Sequence, residues 1–393
     1  MTPAKTDAAA AAVGTRLDDL VAATPATRDR YVDFLRAASI GVVVLAHWLS
    51  TLLAWTGNGL TVRNAVGIVP GLWSITWILQ VMPVFFFIGG FSNYRSLDGT
   101  LRRREPVSRF LKSRLVRLLK PTAAFVAVWL AIAAGMRLGR VLTPAHLRST
   151  VFVFGPLWFL AVYLAVTALT PITFRLHRRF GVAVLAALGF GAAGVDVLRL
   201  SLEMPMVGWA NMAFVWLFVH QLGYFYADGR LARASQRAHL TLALAGLAGL
   251  LVLTNTGVYP RSMVSTGFER ASNMSPPTVC ILALTVWLVG AAMYLRRWVS
   301  RWLARPGLWK AVVAANSIIM TVYLWHLTAY LVVFAILALF GLAGHAPGTA
   351  GWWLERPFWL VGPGLVLALL VVMFSRFERP TLRPFNRDAT RFS

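Results

Sequence analysis

The chain is organised around apolar runs of close to 20 residues, the length a helix needs to cross the hydrocarbon core of a bilayer. Ten such runs can be read, at 34–55, 69–91, 118–136, 152–174, 180–198, 206–226, 240–256, 277–295, 312–340 and 359–374. Of 393 residues, 58% are hydrophobic and 13% are charged, whereas an ordinary soluble domain is about 25% charged. This balance excludes a soluble globular enzyme, a disordered chain and a collagenous one. Cys280 is the single cysteine, so the chain is not a disulfide scaffold either. The expected fold is all-α: a polytopic membrane protein with a bundle of about ten transmembrane helices over 31–380. A flexible cytoplasmic tail is expected at 1–30 and a basic cytoplasmic tail at 381–393. The alanine run at 8–12 is short and is followed by Asp18 and Asp19, which is not a signal-peptide pattern. A short surface helix is expected near Tyr31. No connection is long enough for a second domain, and no repeat of fixed period is visible.

Lys plus Arg is 38 and Asp plus Glu is 14, a formal net charge of +24. On a soluble protein this would point to nucleic acid. Here the basic residues alternate from loop to loop. With the N-terminus placed in the cytoplasm, twenty-nine of the 38 fall in inside segments and eight outside, with Arg36 just within the first run. The segment 92–120 alone carries Arg95, Arg102, Arg103, Arg104, Arg109, Lys112, Arg114, Arg117 and Lys120. This is the positive-inside pattern, with both termini cytoplasmic and the protein multi-pass in the plasma membrane. The charge therefore reports topology, and no nucleic acid is expected. Heavy use of Ala, Arg and Gly suggests a GC-rich bacterial genome.

A bilayer makes buried polar groups costly, so their positions carry most of the functional information. The first run holds Asp33, Arg36 and His47. Eleven residues of α-helix rotate through roughly three full turns, so Arg36 and His47 share one face about 16 Å apart, with Asp33 close to the same stripe. One stripe then carries an acid and a base at the cytoplasmic mouth and an imidazole near mid-bilayer. His326 lies in Tyr323-Leu-Trp-His326 and is expected in the outer half of the membrane, with Asn316 and Ser317 earlier in the run. Either a functional role or simple packing would explain it. His220 reads as a packing histidine. In the second run, Gly89 and Gly90 allow close helix packing or an unwound turn. The basic stretch around Arg109, Lys112, Arg114 and Arg117 is amphipathic, and Arg114 and Arg117 share a face. It fits a surface helix on anionic headgroups and equally a phosphate clamp, because the guanidinium fork suits bidentate phosphate contact. No Gly-x-Ser-x-Gly elbow, Walker lysine loop or metal-ligand spacing is present; no metal and no permanently bound cofactor is expected.

Taken together these residues resemble the acyltransferase 3 family of membrane proteins. Arg36 and His47 match its Arg-x10-His spacing, preceded by Asp33-Phe-Leu. The stretch Pro83-Val-Phe-Phe-Phe-Ile-Gly-Gly-Phe91 is similar to its second-helix signature, Arg114-x-x-Arg117 followed by Pro121 to its cytoplasmic arginine pair, and Leu157-Trp158-Phe-Leu160 with Tyr163 and Tyr323-Leu-Trp-His326 to later motifs. The family more often has serine where this chain has Gly89. The resemblance spans about residues 28 to 380. It implies transfer of an acyl group, often acetyl, from cytoplasmic acyl-CoA to a hydroxyl of a sugar, glycolipid or other envelope or secreted acceptor. On that reading His47 is the general base, with a covalent acyl-His47 also open, and Arg36 guides the donor, oriented by Asp33. Arg114 and Arg117, with Arg109 and Lys112, grip CoA phosphates, and His326, Tyr323 and Trp158 line the acceptor side. A proton-coupled transporter or flippase of a carbohydrate or lipid-linked substrate is the alternative from another class, although the internal repeat typical of such carriers is lacking. A non-catalytic membrane partner, and an acyltransferase of the other membrane-bound type, complete the readings.

Overall fold

The computed structural model describes residues 28–378 apart from 57–58, 141–142, 268, 270 and 343, together with 19, 21–22 and 24–25. The expected tails therefore lie almost entirely outside the described residues. Among these residues nine helices are long and apolar enough to cross a membrane. The tenth expected span, at 206–226, is the 17-residue helix Asn211–Ala227, which a 3-10 turn at Pro205–Ala210 prolongs. The chain is an all-α, multi-pass membrane protein.

Helix α1 (Arg30–Ser50) starts where Asp29 takes the N-cap position, accepting from the backbone N–H groups of Tyr31 and Val32. No separate surface helix forms near Tyr31: this residue is buried in the first turn, and its hydroxyl donates to the Ala292 carbonyl 2.5 Å away. The helix ends at Ser50, earlier than the apolar run suggested. Residues Thr51–Thr56 turn instead into a hairpin with Gly59–Asn64, in the register Thr51 opposite Asn64. Short apolar runs of this kind fit helix and strand equally well. The second span is broken at Gln80–Val81, ahead of helix α2 (Met82–Arg102), in which Pro83 occupies the first turn and so frees no carbonyl inside the helix.

Helix α3 (Val107–Leu138) joins the basic stretch and the third apolar run into one rod of 32 residues. At 1.5 Å per residue it is about 48 Å long, against about 30 Å of hydrocarbon, so its basic first half projects beyond the apolar layer. Pro121 sits inside it and removes the N–H that would bond the Arg117 carbonyl. Helices α4 (Pro144–Phe154) and α5 (Leu157–Ala168) form the next span, followed by the short amphipathic α6 (Thr170–Phe180) and by α7 (Val182–Leu200). Then come α8 (Asn211–Ala227), α9 (Gln236–Asn255) and α10 (Val279–Trp302). The ninth apolar run is two helices, α11 (Pro306–Ser317) and α12 (Ile319–Leu339), separated at Ile318. The last is α13 (Ala350–Phe374).

The main core cluster runs through α1, α2, α5, α8, α10 and α12, with a smaller one at Leu97, Phe110, Phe174 and Tyr224. The tightest seam of the main cluster is α2 on α8. A methyl group on Gly90 would lie 1.9 Å from the His220 carbonyl oxygen, and one on Gly223 would lie 2.1 Å from the Phe87 carbonyl oxygen. Both neighbours are backbone, so neither can yield without moving a helix, as small-residue packing between membrane helices requires. Asn93 Nδ2 of α2 lies 3.1 Å from His220 Nε2 across this seam and 3.2 Å from Thr167 Oγ1 of α5. Gly90→Ala is expected to push α2 and α8 apart and cost at least about 1–3 kcal/mol, the range for overpacking; a fall in the detergent-solubilised melting temperature is the measurement.

Candidate active site

His47 lies in the last turn of α1, and His326 lies two turns into α12. The expectation set them at different depths. The structure brings them into contact: Nδ1 of His47 is 2.7 Å from Nε2 of His326, and the rings stack with centroids 5.0 Å apart and planes 12° from parallel. His326 is fully buried and His47 half-buried.

Hydrogen-bond chemistry orders the protons in this pair. Nδ1 of His326 is 2.6 Å from the Tyr323 carbonyl oxygen, which can only accept, so that nitrogen carries the hydrogen. In the neutral ring Nε2 is then the acceptor, and His47 Nδ1 must donate to it. The lone pair of His47 is thereby placed on Nε2, which has no hydrogen-bond partner among the described residues. The arrangement is a relay in which one histidine sets the tautomer of another, as a carboxylate or carbonyl does elsewhere. Around it, Trp48 Nε1 donates to the His326 carbonyl at 3.0 Å, and the Tyr330 hydroxyl donates to the Thr51 carbonyl at 2.7 Å, pinning the end of α1 to α12 beside the pair.

At the other end of the same stripe, Asp33 is buried and accepts from two arginines: Arg36 Nη1 at 2.9 Å and Arg28 Nε at 2.5 Å. Its backbone carbonyl accepts from Asn316 Nδ2 at 2.9 Å. Arg36 is thus held from one side by Asp33 and from the other by Ser92 Oγ, to which its Nη2 donates at 2.9 Å. Arg114 Nη2 donates to the Ser92 backbone carbonyl at 2.9 Å, and its buried Nε has no partner. Arg117 lies within electrostatic range of both Arg36 and Arg114. Three arginines from α1 and α3 therefore converge, and among the described residues the one carboxylate ion-paired to any of them is Asp33, on Arg36; such a cluster attracts a polyanion. Between this cluster and the histidines lies a narrow apolar cavity of about 20 Å³, room for about one water, lined among others by Ile40, Leu118, Tyr163, Met320 and Tyr323.

Other expected site residues stand elsewhere. Arg109 points to the surface, where Glu105 holds it at 2.9 Å, and Lys112 is exposed; neither joins the cluster. The Tyr323 hydroxyl is taken up by the Pro156 carbonyl at 2.5 Å, so what Tyr323 gives the histidines is its backbone carbonyl, while its ring lines the cavity. Trp158 is 40% exposed, beside Phe159 and Trp216. His326, expected on the acceptor side, is the partner of His47. At Gly89 a side chain would meet the Tyr163 ring, with Cε2 2.6 Å and the hydroxyl 2.9 Å from the added carbon. Tyr163 occupies the space a serine would need.

Glu378 escaped the sequence reading. Its carboxylate accepts from the backbone N–H of Met320 and of Thr321 and from Thr321 Oγ1, each at 2.9 Å. It caps the first turn of α12 from 57 residues away in sequence, satisfying orphan donors where the helix dipole favours an anion. Burial pushes its carboxyl above the usual range, opposed by these hydrogen bonds and by Arg117 nearby. No local signal marks such a long-range cap. Among the described residues no group of three or more His, Cys, Asp or Glu could hold a metal ion.

A helical membrane bundle, with nine helices among the described residues long and apolar enough to cross a bilayer, thus holds a stacked histidine pair and, at the other end of one stripe, a cluster of arginines. The family model described as an acyltransferase domain, Acyl_transf_3, matches residues 29–376. The chain belongs to this acyltransferase family. No curated protein and no solved structure matches it. Replacing Glu378 by Ala is expected to speed hydrogen exchange at the Met320 and Thr321 amides and lower stability by about 0.5–2 kcal/mol, the range for a lost helix cap; Glu378→Gln, with a single acceptor oxygen, is expected to fall between Ala and Glu.

Proposed function

We propose that the protein moves an acyl group, in the first instance acetyl, from cytoplasmic acyl-CoA to a hydroxyl of a carbohydrate, glycolipid or other envelope or secreted acceptor. The observation that carries this reading is the ordered chain from the Tyr323 carbonyl through His326 to His47, which leaves a lone pair on His47 Nε2. An alcohol needs a base of this kind to attack a thioester. The acceptor hydroxyl gives its proton to His47 Nε2 as its oxygen bonds to the thioester carbonyl carbon. The tetrahedral intermediate then expels the CoA thiolate, which takes the proton back from His47. His326 is a positioning residue: it keeps Nδ1 of His47 as the donor and so keeps the base on Nε2.

The donor's phosphates are assigned to Arg114 and Arg117, with Arg36 at the threshold, held by Asp33 and Ser92. From Arg36 to His47 is about 16 Å along α1, and the thioester arm follows that stripe through the cavity lined by Ile40 and Tyr323. The bias of basic residues supports placing this mouth, and both termini, on the cytoplasmic side of the plasma membrane. Donor and acceptor then approach the imidazole from opposite faces.

In proteoliposomes, His47→Ala is expected to lower acyl-CoA-dependent acceptor acylation by about 10²–10⁴-fold, the usual contribution of a general base. His326→Gln, whose amide oxygen can accept from His47 Nδ1, is expected to retain more activity than His326→Ala. Wild-type turnover in His47→Ala ends the assignment. A second comparison tests the donor mouth: Arg117→Gln is expected to raise KM for acyl-CoA about tenfold, as for loss of a charge-assisted phosphate contact, while Arg109→Gln leaves KM unchanged.

A further inference from the structure

Helix α6 has three faces. Thr170, Thr173, Phe174 and His177 are buried against the bundle. At 100° per residue, Pro171, Arg175, Arg178 and Arg179 form one flank and Ile172, Leu176 and Phe180 the other. The apolar flank is open, with Ile172 55%, Leu176 39% and Phe180 51% exposed, which on a membrane protein places it against hydrocarbon. The basic flank closes one side of a cleft of about 370 Å³, whose floor is Leu97, Leu101, Val107 and Phe174. Helix α6 therefore lies at the boundary between acyl chains and headgroups.

The three arginines have no carboxylate partner among the described residues; Arg178 and Arg179 only cover the rings of Phe174 and Phe180. The acids nearby are committed elsewhere: Asp98 to Arg102 at 2.8 Å, Glu105 to Arg103 and Arg109, and Asp228 to His177 and Arg230. Such a cleft couples uncompensated guanidinium groups to an apolar floor that opens beside a lipid-facing ridge. A phosphate ester bearing an apolar tail matches both halves.

We propose that this cleft seats the phosphate of an anionic membrane phospholipid, its headgroup between Arg175, Arg178 and Arg179 and an acyl chain leaving past Leu101. The site is separate from the Arg36–Arg114–Arg117 cluster, from which the packed Phe110, Leu97, Phe174 and Tyr224 divide it. It does not depend on the acyl-transfer reading, because it asks only for a bilayer.

The test is native mass spectrometry of the full-length protein released from nanodiscs of phosphatidylcholine with about one-fifth phosphatidylglycerol, where each basic residue at the surface adds measurable attraction to anionic lipid. The wild-type protein is expected to retain phosphatidylglycerol over phosphatidylcholine, and the triple variant R175Q/R178Q/R179Q to lose that preference by about tenfold or more. Leu101→Trp, which fills the cleft and keeps every charge, is expected to displace the lipid as well and stands in if the triple variant fails to fold. Arg297→Gln with Arg301→Gln, on another part of the basic end, is expected to leave retention unchanged. Retention that survives both cleft variants, or that falls equally in the distant control, overturns the proposal. So does full displacement of the lipid by millimolar inorganic phosphate, which would make the occupant a free phosphate, or by soluble acyl-CoA, which would make it a soluble acyl phosphate ester.

Discussion

One contact inside the bilayer, between the imidazoles of His47 and His326, decides much of this architecture. In hydrocarbon a lone imidazole has no water to satisfy it, and an unpaired polar group there is costly. The contact and the Tyr323 carbonyl satisfy both nitrogens of His326 and Nδ1 of His47, leaving His47 Nε2 open. The contact brings the end of α1 against the middle of α12, elements 279 residues apart in sequence. Trp48 and Tyr330 then bond across the same junction. The last turn of α1 also has its Leu49 carbonyl met by Arg356 from α13 at 3.4 Å, so that three helices fix one imidazole.

The polar groups at the opposite end of the stripe use a different physics. There the carboxylate of Asp33 divides itself between two guanidinium groups, and Ser92 lends its hydroxyl to one arginine and its carbonyl to another. The cluster remains rich in positive charge, which a core packed for stability alone would avoid. Glu378 connects the two ends. It holds the start of α12 by three hydrogen bonds and lies within electrostatic range of Arg117. The helix that carries His326 thus begins beside the arginines.

The residues that helical periodicity can relate were legible in the sequence. Arg36, Asp33 and His47 share a stripe because 3.6 residues per turn says so, and the apolar runs located nearly every membrane helix. What failed was whatever depends on packing between elements. His326 was visible as an intramembrane histidine, but its depth and its partner are set by how α12 leans on α1. The hairpin after Ser50 came from an apolar run that sequence assigned to helix, and it took cross-strand pairing to decide otherwise. Lys112 and Arg109 look like Arg114 and Arg117 in a list of basic residues; only the face of α3 turned toward Ser92 separates them. Glu378 leaves no trace at all, since its cap acts on a helix that precedes it by 57 residues.

Position 89 illustrates how tightly the site is packed around a missing side chain. Tyr163 fills the space, and its ring lies within electrostatic range of Arg36 and lines the cavity that Tyr323 also lines. A cavity of about 20 Å³ admits the thioester arm of the proposed chemistry only when Tyr163, Phe85 or Met320 moves. On the proposed chemistry that narrowness has a use. Water reaching His47 from the arginine side would be activated by the same lone pair as the acceptor alcohol, and the thioester would be hydrolysed. A crevice lined by aromatic and aliphatic side chains stays dry when empty, as apolar cavities do, and a donor that parts those side chains fills it. On that chemistry the aromatic lining between charge and base would favour transfer over hydrolysis, through packing that the bilayer-spanning helices must supply in any case.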